Sequence, residues 1–337
     1  MVYLMMSALR RVNAEGEEFM RCPEKRCRIT RDRGELRNSD AVIFSSRGLW
    51  NTFLPVYTMP TWRHPHQVWI ISEMEAPPET ILDWSKYNGL FNWTLHYRKD
   101  ADLVGSYGRF ERLDTVGNQS AKNQSSEKNA RNFFAEKTGM VAWMSSNCVD
   151  DARRQRVVHE LARYIQVDTY GGCGDNKATG CSDHQCSKHL DKYRFFLSLE
   201  NANCRDYFTE KLYHAYDRDQ IPITNNDAHS SGVAPNGSCI QISDFSSLEH
   251  LAKHLKKLAS NATAYNSYLS WRKTHRVLTY AAPMCELCKR LHDGSKPAQV
   301  YADLYGWLAN DSCQPWSICN YVRRLTEGMA LYFRLIN

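Results

Sequence analysis

Phe195-Phe-Leu-Ser-Leu-Glu-Asn-Ala-Asn-Cys-Arg-Asp-Tyr-Phe-Thr-Glu-Lys-Leu212 changes character twice along its length. Its apolar start reads as a β-strand ending at Glu200-Asn201, its middle as a polar loop, and its end as a helix beginning near Tyr207. A helix N-terminus presents free N–H groups and partial positive charge, which suits a phosphate. Lys211 and Arg205 would add cationic charge there, and the Glu210 carboxylate could take the two hydroxyls of a ribose. The plainer alternative makes Glu210 and Lys211 a solvated helix face.

Around this stretch the chain alternates strand and helix. Met140-Val-Ala-Trp-Met, Val167-Asp-Thr-Tyr, Ile221-Pro-Ile-Thr and Cys239-Ile-Gln-Ile have strand length and composition. Asp151 to Tyr164 carries Val157, Val158 and Leu161 at near-helical spacing, and Ser246-x-x-Glu249 reads as a capping box before an amphipathic helix through Leu258. Alternation of this kind predicts an α/β fold with parallel sheets, whose ligands bind at the carboxyl ends of the strands. Further upstream, Ala41-Val-Ile-Phe-Ser, Gln67-Val-Trp-Ile-Ile-Ser and Leu90-Phe-Asn-Trp-Thr-Leu predict more strands. Residues 112–138, rich in Asn, Ser, Lys and Gln, read as an exposed linker. Neither G-x-G-x-x-G nor a Walker motif occurs, so a cofactor-type dinucleotide site is not expected.

A chain of 337 residues, 42% hydrophobic and 24% charged, has enough apolar material for about two ordinary domains. Its net charge of +6 is too mild and too scattered for a nucleic-acid binder, but suits a small polyanionic ligand. No apolar stretch reaches the roughly 18 residues needed to cross a bilayer.

Twelve cysteines fit disulfides formed in an oxidising lumen. Zinc is the rival, through Cys285-x-x-Cys288 with His292 or through Cys181, His184, Cys186 and His189. Six sequons, at Asn92, Asn118, Asn123, Asn236, Asn261 and Asn310, favour the secretory pathway and disulfides over metal.

The segment from Arg194 to Trp271 resembles the donor-binding region of the α-1,3-fucosyltransferases, glycosyltransferase family ten, animal Golgi type. The resemblance rests on Leu199-Glu200-Asn201, Asp206-Tyr-Phe-Thr-Glu-Lys-Leu212, Ile221-Pro-Ile223, Ser238-Cys-Ile240 with Asp244-Phe245, and Tyr265-Asn-Ser-Tyr-Leu-Ser-Trp271. Val141-Ala-Trp143, Ser146-Asn-Cys148 and Val167-Asp168 with Tyr170-Gly171 are similar to the family's first donor-domain unit. Glu75-Ala-Pro77, Asn88 to Thr94, and Tyr97-Arg98 with Asp100 and Asp102 are similar to its acceptor-side blocks. The likeness runs from about residue 20 to about residue 315, its blocks in the family's order.

The resemblance implies a GT-B fold, two Rossmann-like lobes with a cleft between them, and an inverting transfer of L-fucose from GDP-L-fucose to the 3-hydroxyl of GlcNAc in glycoprotein glycans. On that reading residues 1–37 are a stem remnant and disulfide segment and 38–111 an acceptor-side lobe. Residues 112–138 are the linker, 139–280 the GDP-fucose-binding lobe, and 281–337 a C-terminal segment with the C-x-x-C. Inverting displacement needs a carboxylate to take the acceptor proton and cations on the departing diphosphate. By its match to the acceptor-side block, Glu75 is the implied base, with Glu73 its nearest competitor. Arg154, Asn201, Tyr207, Glu210 and Lys211 match donor-binding positions, Arg154 and Lys211 on the diphosphate and Glu210 on the ribose.

The family pattern also implies that Cys22 and Cys27 bond to Cys285 and Cys288. No metal is implied, a divalent cation being at most stimulatory. The acceptor would be an N-glycan or N-acetyllactosamine-type antenna. The setting would be the Golgi lumen, with a type II membrane anchor that this chain lacks. The 224–235 loop departs from the pattern, with Ser230 where an aromatic residue is expected. Asp219-Gln220 stands where a glycine usually precedes the next strand, and the 320–337 tail matches nothing. Two rivals are a binding protein that kept the scaffold without the chemistry, and a metal-dependent transferase using Asp100-Ala-Asp102 or Asp217-Arg-Asp219.

Overall fold

The computed structural model describes residues 2–5, 19, 22–49, 59–80, 82–113, 131–174, 189–228, 230–281, 283–293, 300–310 and 312–313. The chain divides into two compact units, Met1–Ser106 with Tyr280–Ser312, and Tyr107–Thr279 with Cys313–Asn337.

The first unit is built on β1 (Val2–Met5), β2 (Ile29–Thr30), β3 (Ala41–Ser45), β4 (Val68–Glu73), β5 (Trp93–His96) and β6 (Leu103–Val104). They form one sheet in the order β2-β1-β3-β4-β5-β6, every pairing parallel. Every residue of β3 and β4 is buried, which explains their unbroken apolar runs: a parallel sheet is covered on both faces. Ile43, Ile70 and Leu95 face a core shared with Met284 and Leu287 of the Met284–His292 helix. Phe44, Trp69 and Ile71 face the opposite core, with Trp84, Phe91 and Leu304. β1 and β2 come from the segment expected as a stem.

Two disulfides, Cys22–Cys285 and Cys27–Cys288, join the start of this unit to its C-terminal part, as the family pattern implied. Cys27, Cys288 and His292 place their donor atoms close together, but both sulfurs are spent in that disulfide, so the cluster offers a metal one imidazole. Of the second zinc reading, Cys181, His184 and Cys186 lie outside the described residues.

The second unit holds β7 (Ser106–Arg112), β8 (Gly139–Met144), β9 (Val167–Tyr170), β10 (Tyr193–Leu197), β11 (Ile221–Thr224), β12 (Ile240–Gln241) and β13 (His275–Ala281). Its main sheet has the order β12-β11-β10-β8-β9, with β7 and β13 as a separate pair. The main sheet is parallel throughout. Val141, Phe195 and Ile223 bury one face against the Arg154–Leu161 and Leu248–Ala259 helices through Val158, Leu161, Leu251 and Leu255. The other face buries Tyr193 and Phe196 against Ala215 of the Glu210–Asp217 helix. Phe133–Glu136, within the segment expected as a linker, is a short helix.

Local boundaries differ from the sequence reading in three places. β10 ends at Leu197, not at Asn201, because Glu200 bonds its N–H to the Asn225 side chain and no longer follows the ladder. The next helix begins at Glu210, not near Tyr207, because Asp206 takes a left-handed conformation (φ 61°) and turns the chain first. The cap of the Leu248–Ala259 helix is Ser247, whose hydroxyl accepts from the His250 N–H, one residue beyond the expected Ser246.

Cys148–Cys173 and Cys204–Cys313 are further disulfides, unpaired in the sequence reading. Cys239 is a buried free thiol, with burial pushing its pKa up to about 11.

Candidate active site

The carboxyl edge of the second unit's sheet is organised around Glu200, which is 1% exposed. Its carboxylate accepts the Thr209 backbone N–H at 2.7 Å, the Thr209 hydroxyl at 2.9 Å and the Lys211 ammonium at 3.3 Å. Lys211 also donates to Thr209 Oγ1 at 2.7 Å and to Glu210 Oε1 at 3.2 Å. Burial pushes the Glu200 carboxyl up, against the pull of Lys211 and Thr209. Burial works against the Lys211 ammonium too, but Glu200 and Glu210 outweigh it and hold its pKa above the ordinary lysine value. Lys211 is therefore a fixed cation at the first turn of the Glu210–Asp217 helix, whose N–H groups point the same charge outward.

Asn225 and Asn226, at the end of β11, fasten the loop between β10 and that helix. Asn225 accepts from Glu200 N at 2.8 Å and donates to Glu200 O at 3.0 Å, taking the place of a strand neighbour. Asn226 donates to the Tyr207 carbonyl at 2.8 Å. Cys204 in the same loop is held by its disulfide to Cys313. The buried Oδ1 of Asn201 has no hydrogen-bond partner among the described residues, so the pinned loop leaves one acceptor unmatched.

Arg154 opens its helix and is 2% exposed. Its guanidinium donates to Asp150 at 2.8 Å, to the Asn147 carbonyl at 2.9 Å and to the Leu199 carbonyl at 3.3 Å. Ala152 N bonds the Asn201 carbonyl at 3.0 Å, so the Arg154 segment is tied to the same loop. The neighbouring Arg153 (φ 53°) and Arg156 are exposed. The structure thus brings Arg154, Asn201, Glu210 and Lys211 to one sheet edge. Tyr207 is there too, but it is 1% exposed and packed into the fold.

Glu200, Thr209, Asn225 and Asn226 were not singled out from sequence. Glu200 lay in plain view at the expected end of β10, and two asparagines directly after an apolar strand were the available signal for the others.

In the first unit, Glu75 is half-buried two residues beyond β4. Its backbone N–H donates to the carboxylate of Glu73 at 2.7 Å. Glu73, the last residue of β4, is 4% exposed and stands in register with His96 on β5.

Three of the four acids considered for a metal, Asp100, Asp102 and Asp219, are engaged in the fold. Asp102 accepts from Thr94 N at 2.8 Å and from the Tyr301 hydroxyl at 2.7 Å, and Asp100 pairs with Arg98. Asp219 pairs with Arg131 and Arg272. Of the sequons, Asn236, Asn261 and Asn310 are exposed. Asn92 is half-buried with Oδ1 accepting from Trp69 N, and Asn118 and Asn123 lie outside the described residues.

Two family models cover most of the chain: "Fucosyltransferase, N-terminal" over residues 2–108, and "Glycosyltransferase family 10 (fucosyltransferase) C-term" over 134–307. The chain belongs to the family 10 fucosyltransferases. This family member is 34% identical over 315 residues to alpha-(1,3)-fucosyltransferase C of Drosophila melanogaster, covering 89% of this chain and 73% of that one. It is 33% identical to glycoprotein 3-alpha-L-fucosyltransferase A of the same organism, covering 85% of this chain and 55% of that one. It is 31% identical to alpha-(1,3)-fucosyltransferase 7 of Bos taurus, covering 87% and 81%. It therefore spans about half the length of one of these relatives and about three quarters or more of the others. Among solved structures, a crystal structure of an alpha1,3-fucosyltransferase with GDP-fucose superposes with a TM-score of 0.53 at 15% identity, covering 90% of this chain and 92% of that one. At that identity the likeness bears on the fold, and it agrees with a family 10 fucosyltransferase built on two parallel α/β sheets of GT-B type.

Proposed function

We propose that this chain is a GDP-fucose-dependent α-1,3-fucosyltransferase, transferring L-fucose with inversion to the 3-hydroxyl of GlcNAc in glycoprotein glycans. The observation that carries this reading is the fixed Lys211 cation at a helix N-terminus, beside a loop whose Asn201 oxygen, without a partner among the described residues, could accept from a hydroxyl or N–H of the nucleoside. A nucleoside diphosphate fits such a site: its negative charge meets Lys211 and the helix N–H groups, with no call for a divalent ion. Arg154, braced by three protein acceptors, would present its remaining N–H groups to the diphosphate. Glu210, 44% exposed at the helix start, would take the ribose hydroxyls, with Asn201 completing the donor contacts. Tyr207, 1% exposed, would serve the site by supporting the loop that Asn226 fastens.

On the acceptor side, Glu75 would remove the proton from the attacking hydroxyl while the sugar–phosphate bond breaks and the diphosphate leaves with its negative charge. The acceptor would be an N-glycan or N-acetyllactosamine-type antenna, and the setting the Golgi lumen behind a type II anchor. No helix among the described residues is long and apolar enough to cross a membrane.

One observation favours a second reading, a scaffold that binds but does not transfer: Ser230 replaces the expected aromatic side chain, its N–H bonded to Asp227 at 2.9 Å in a turn. Fucose transfer from labelled GDP-fucose to defined glycans, with and without EDTA, tests both. Transfer insensitive to chelation is expected. GDP binding without transfer to any acceptor would favour the binding protein, and transfer abolished by EDTA would favour metal-dependent chemistry.

A further inference from the structure

We infer that Glu73 is a positioning residue for Glu75, holding the proposed base in place through its backbone, and is not a second base. The inference rests on the reading of Glu75 given above. Glu73 is the last residue of β4, where the sheet is rigid, and its side chain is 4% exposed. Its carboxylate reaches forward and accepts the Glu75 N–H at 2.7 Å. A side-chain acceptor at one residue bonded to the N–H two residues on closes a small ring, and the ring restricts the backbone of Met74 and Glu75 between them. Downstream the chain is equally constrained. Ala76 is fully buried, its carbonyl accepts the Glu79 N–H at 2.8 Å, and Pro77 opens a 3-10 turn with Pro78 buried within it. The Glu75 backbone is therefore held on both sides.

Burial separates the roles of the two acids. Glu75 is half-buried and can meet an acceptor hydroxyl, whereas Glu73 is enclosed and already engaged with protein N–H. His96, opposite Glu73 in register, is held neutral by burial. The placement of a general base matters steeply: a shift of about 1 Å costs on the order of a hundredfold in rate.

Two substitutions separate geometry from charge. Glu73→Gln keeps a carbonyl oxygen for the Glu75 N–H and removes the negative charge. Glu73→Leu keeps the shape and removes the acceptor. Glu73→Leu is expected to lower kcat about tenfold or more, with the KM for GDP-fucose and the Kd for GDP within about twofold of wild type. Glu73→Gln should restore kcat to within about threefold of wild type. Equal, large losses in the two variants would overturn the inference, because the charge would then be what matters, and so would an unchanged kcat in Glu73→Leu. If the Leu variant fails to fold, Glu73→Met, which also removes the acceptor, takes its place with the same two outcomes, and a loss of kcat of about a hundredfold in folded Glu73→Gln rejects a positioning role in either case. A parallel Glu75→Gln variant keeps the two readings apart. Transfer retained in that variant sinks the assignment of Glu75 as base, whereas its loss alongside a normal Glu73→Leu enzyme sinks the role of Glu73 alone.

Discussion

The Lys211 ammonium lies 3.3 Å from the Glu200 carboxylate, a lysine with 23% of its side chain exposed against an acid with 1%. The acid anchors and the lysine projects. Glu200 spends its remaining capacity on the Thr209 N–H and hydroxyl, so the pair joins the end of β10 to the start of the next helix. That pairing gives Lys211 two separable tasks, neutralising Glu200 and, on the proposed reading, neutralising a diphosphate.

Lys211→Ala is expected to weaken GDP binding at least tenfold, read by calorimetry. It should also cost about 2 kcal/mol of stability, because it strands a buried carboxylate. Adding Glu200→Gln to Lys211→Ala should recover part of the stability and none of the affinity. Unchanged GDP affinity in Lys211→Ala would count against the phosphate role.

Glu75→Gln should abolish transfer and leave GDP binding within about twofold, since a general base acts on the attacking hydroxyl and not on the donor's diphosphate. Parallel loss of transfer and GDP binding would mean that Glu75 supports the fold.

His96 is 1% exposed, its Nδ1 accepts the Arg98 N–H at 3.2 Å, and its Nε2 has no hydrogen-bond partner among the described residues. Burial, with Arg98 adding to it, lowers its pKa from 6.5 to about 3. The unfolded chain therefore binds a proton that the folded chain refuses between those values. Stability should fall as pH drops below about 6.5 and stop falling on this account near pH 3, by a few kcal/mol in all. Denaturant titrations at pH 7 and pH 5 should show His96→Asn losing about 2 kcal/mol less than wild type over that interval. An identical pH dependence in the two proteins would show that His96 does not titrate this way.

Cys22–Cys285 and Cys27–Cys288 span 263 and 261 residues, but they are not independent. With either bridge in place, the other closes only a short ring of about ten residues, worth roughly 2.5 kcal/mol by chain entropy against roughly 5.5 for the first. Replacing one pair by serine should therefore cost about 2–3 kcal/mol, whichever pair is chosen, and replacing both should cost about three times as much. Urea titration under non-reducing conditions measures this. Equal increments for the first and second removals would refute the coupling.

The strands were readable because burial on both faces writes itself into local composition, as in Ala41 to Ser45 and Val68 to Ser72. The strand-end loop and the blocks around Glu200 and Lys211 were readable as a family pattern. Asp219 shows where local reading stopped. The sequence presents an acid where a glycine is usual. The structure holds it at φ 55°, a conformation glycine adopts freely, with Arg131 and Arg272 paired to its carboxylate. Those arginines lie 88 and 53 positions away, too far for any local rule. The helix cap moved from Ser246 to Ser247 for a smaller reason: adjacent serines have the same capping chemistry, and the register is settled by which leucines reach the core.

The amino-acid sequence by itself determined the buried central strands of both sheets, that the sheets are parallel α/β in type, and which family the motifs belong to, because periodicity, burial and motif order are written along the chain. It did not show β1, β2, β6, β7 or β13. Tertiary structure alone decided that Glu200 holds Lys211, that Asn225 stands in for a strand beside Glu200, that Glu73 grips the Glu75 backbone, and that Cys148 and Cys204 bond to Cys173 and Cys313. Each depends on where folding brings a side chain. A hydrogen bond, an ion pair or a disulfide answers to distances of a few ångströms in space, whatever the separation along the chain.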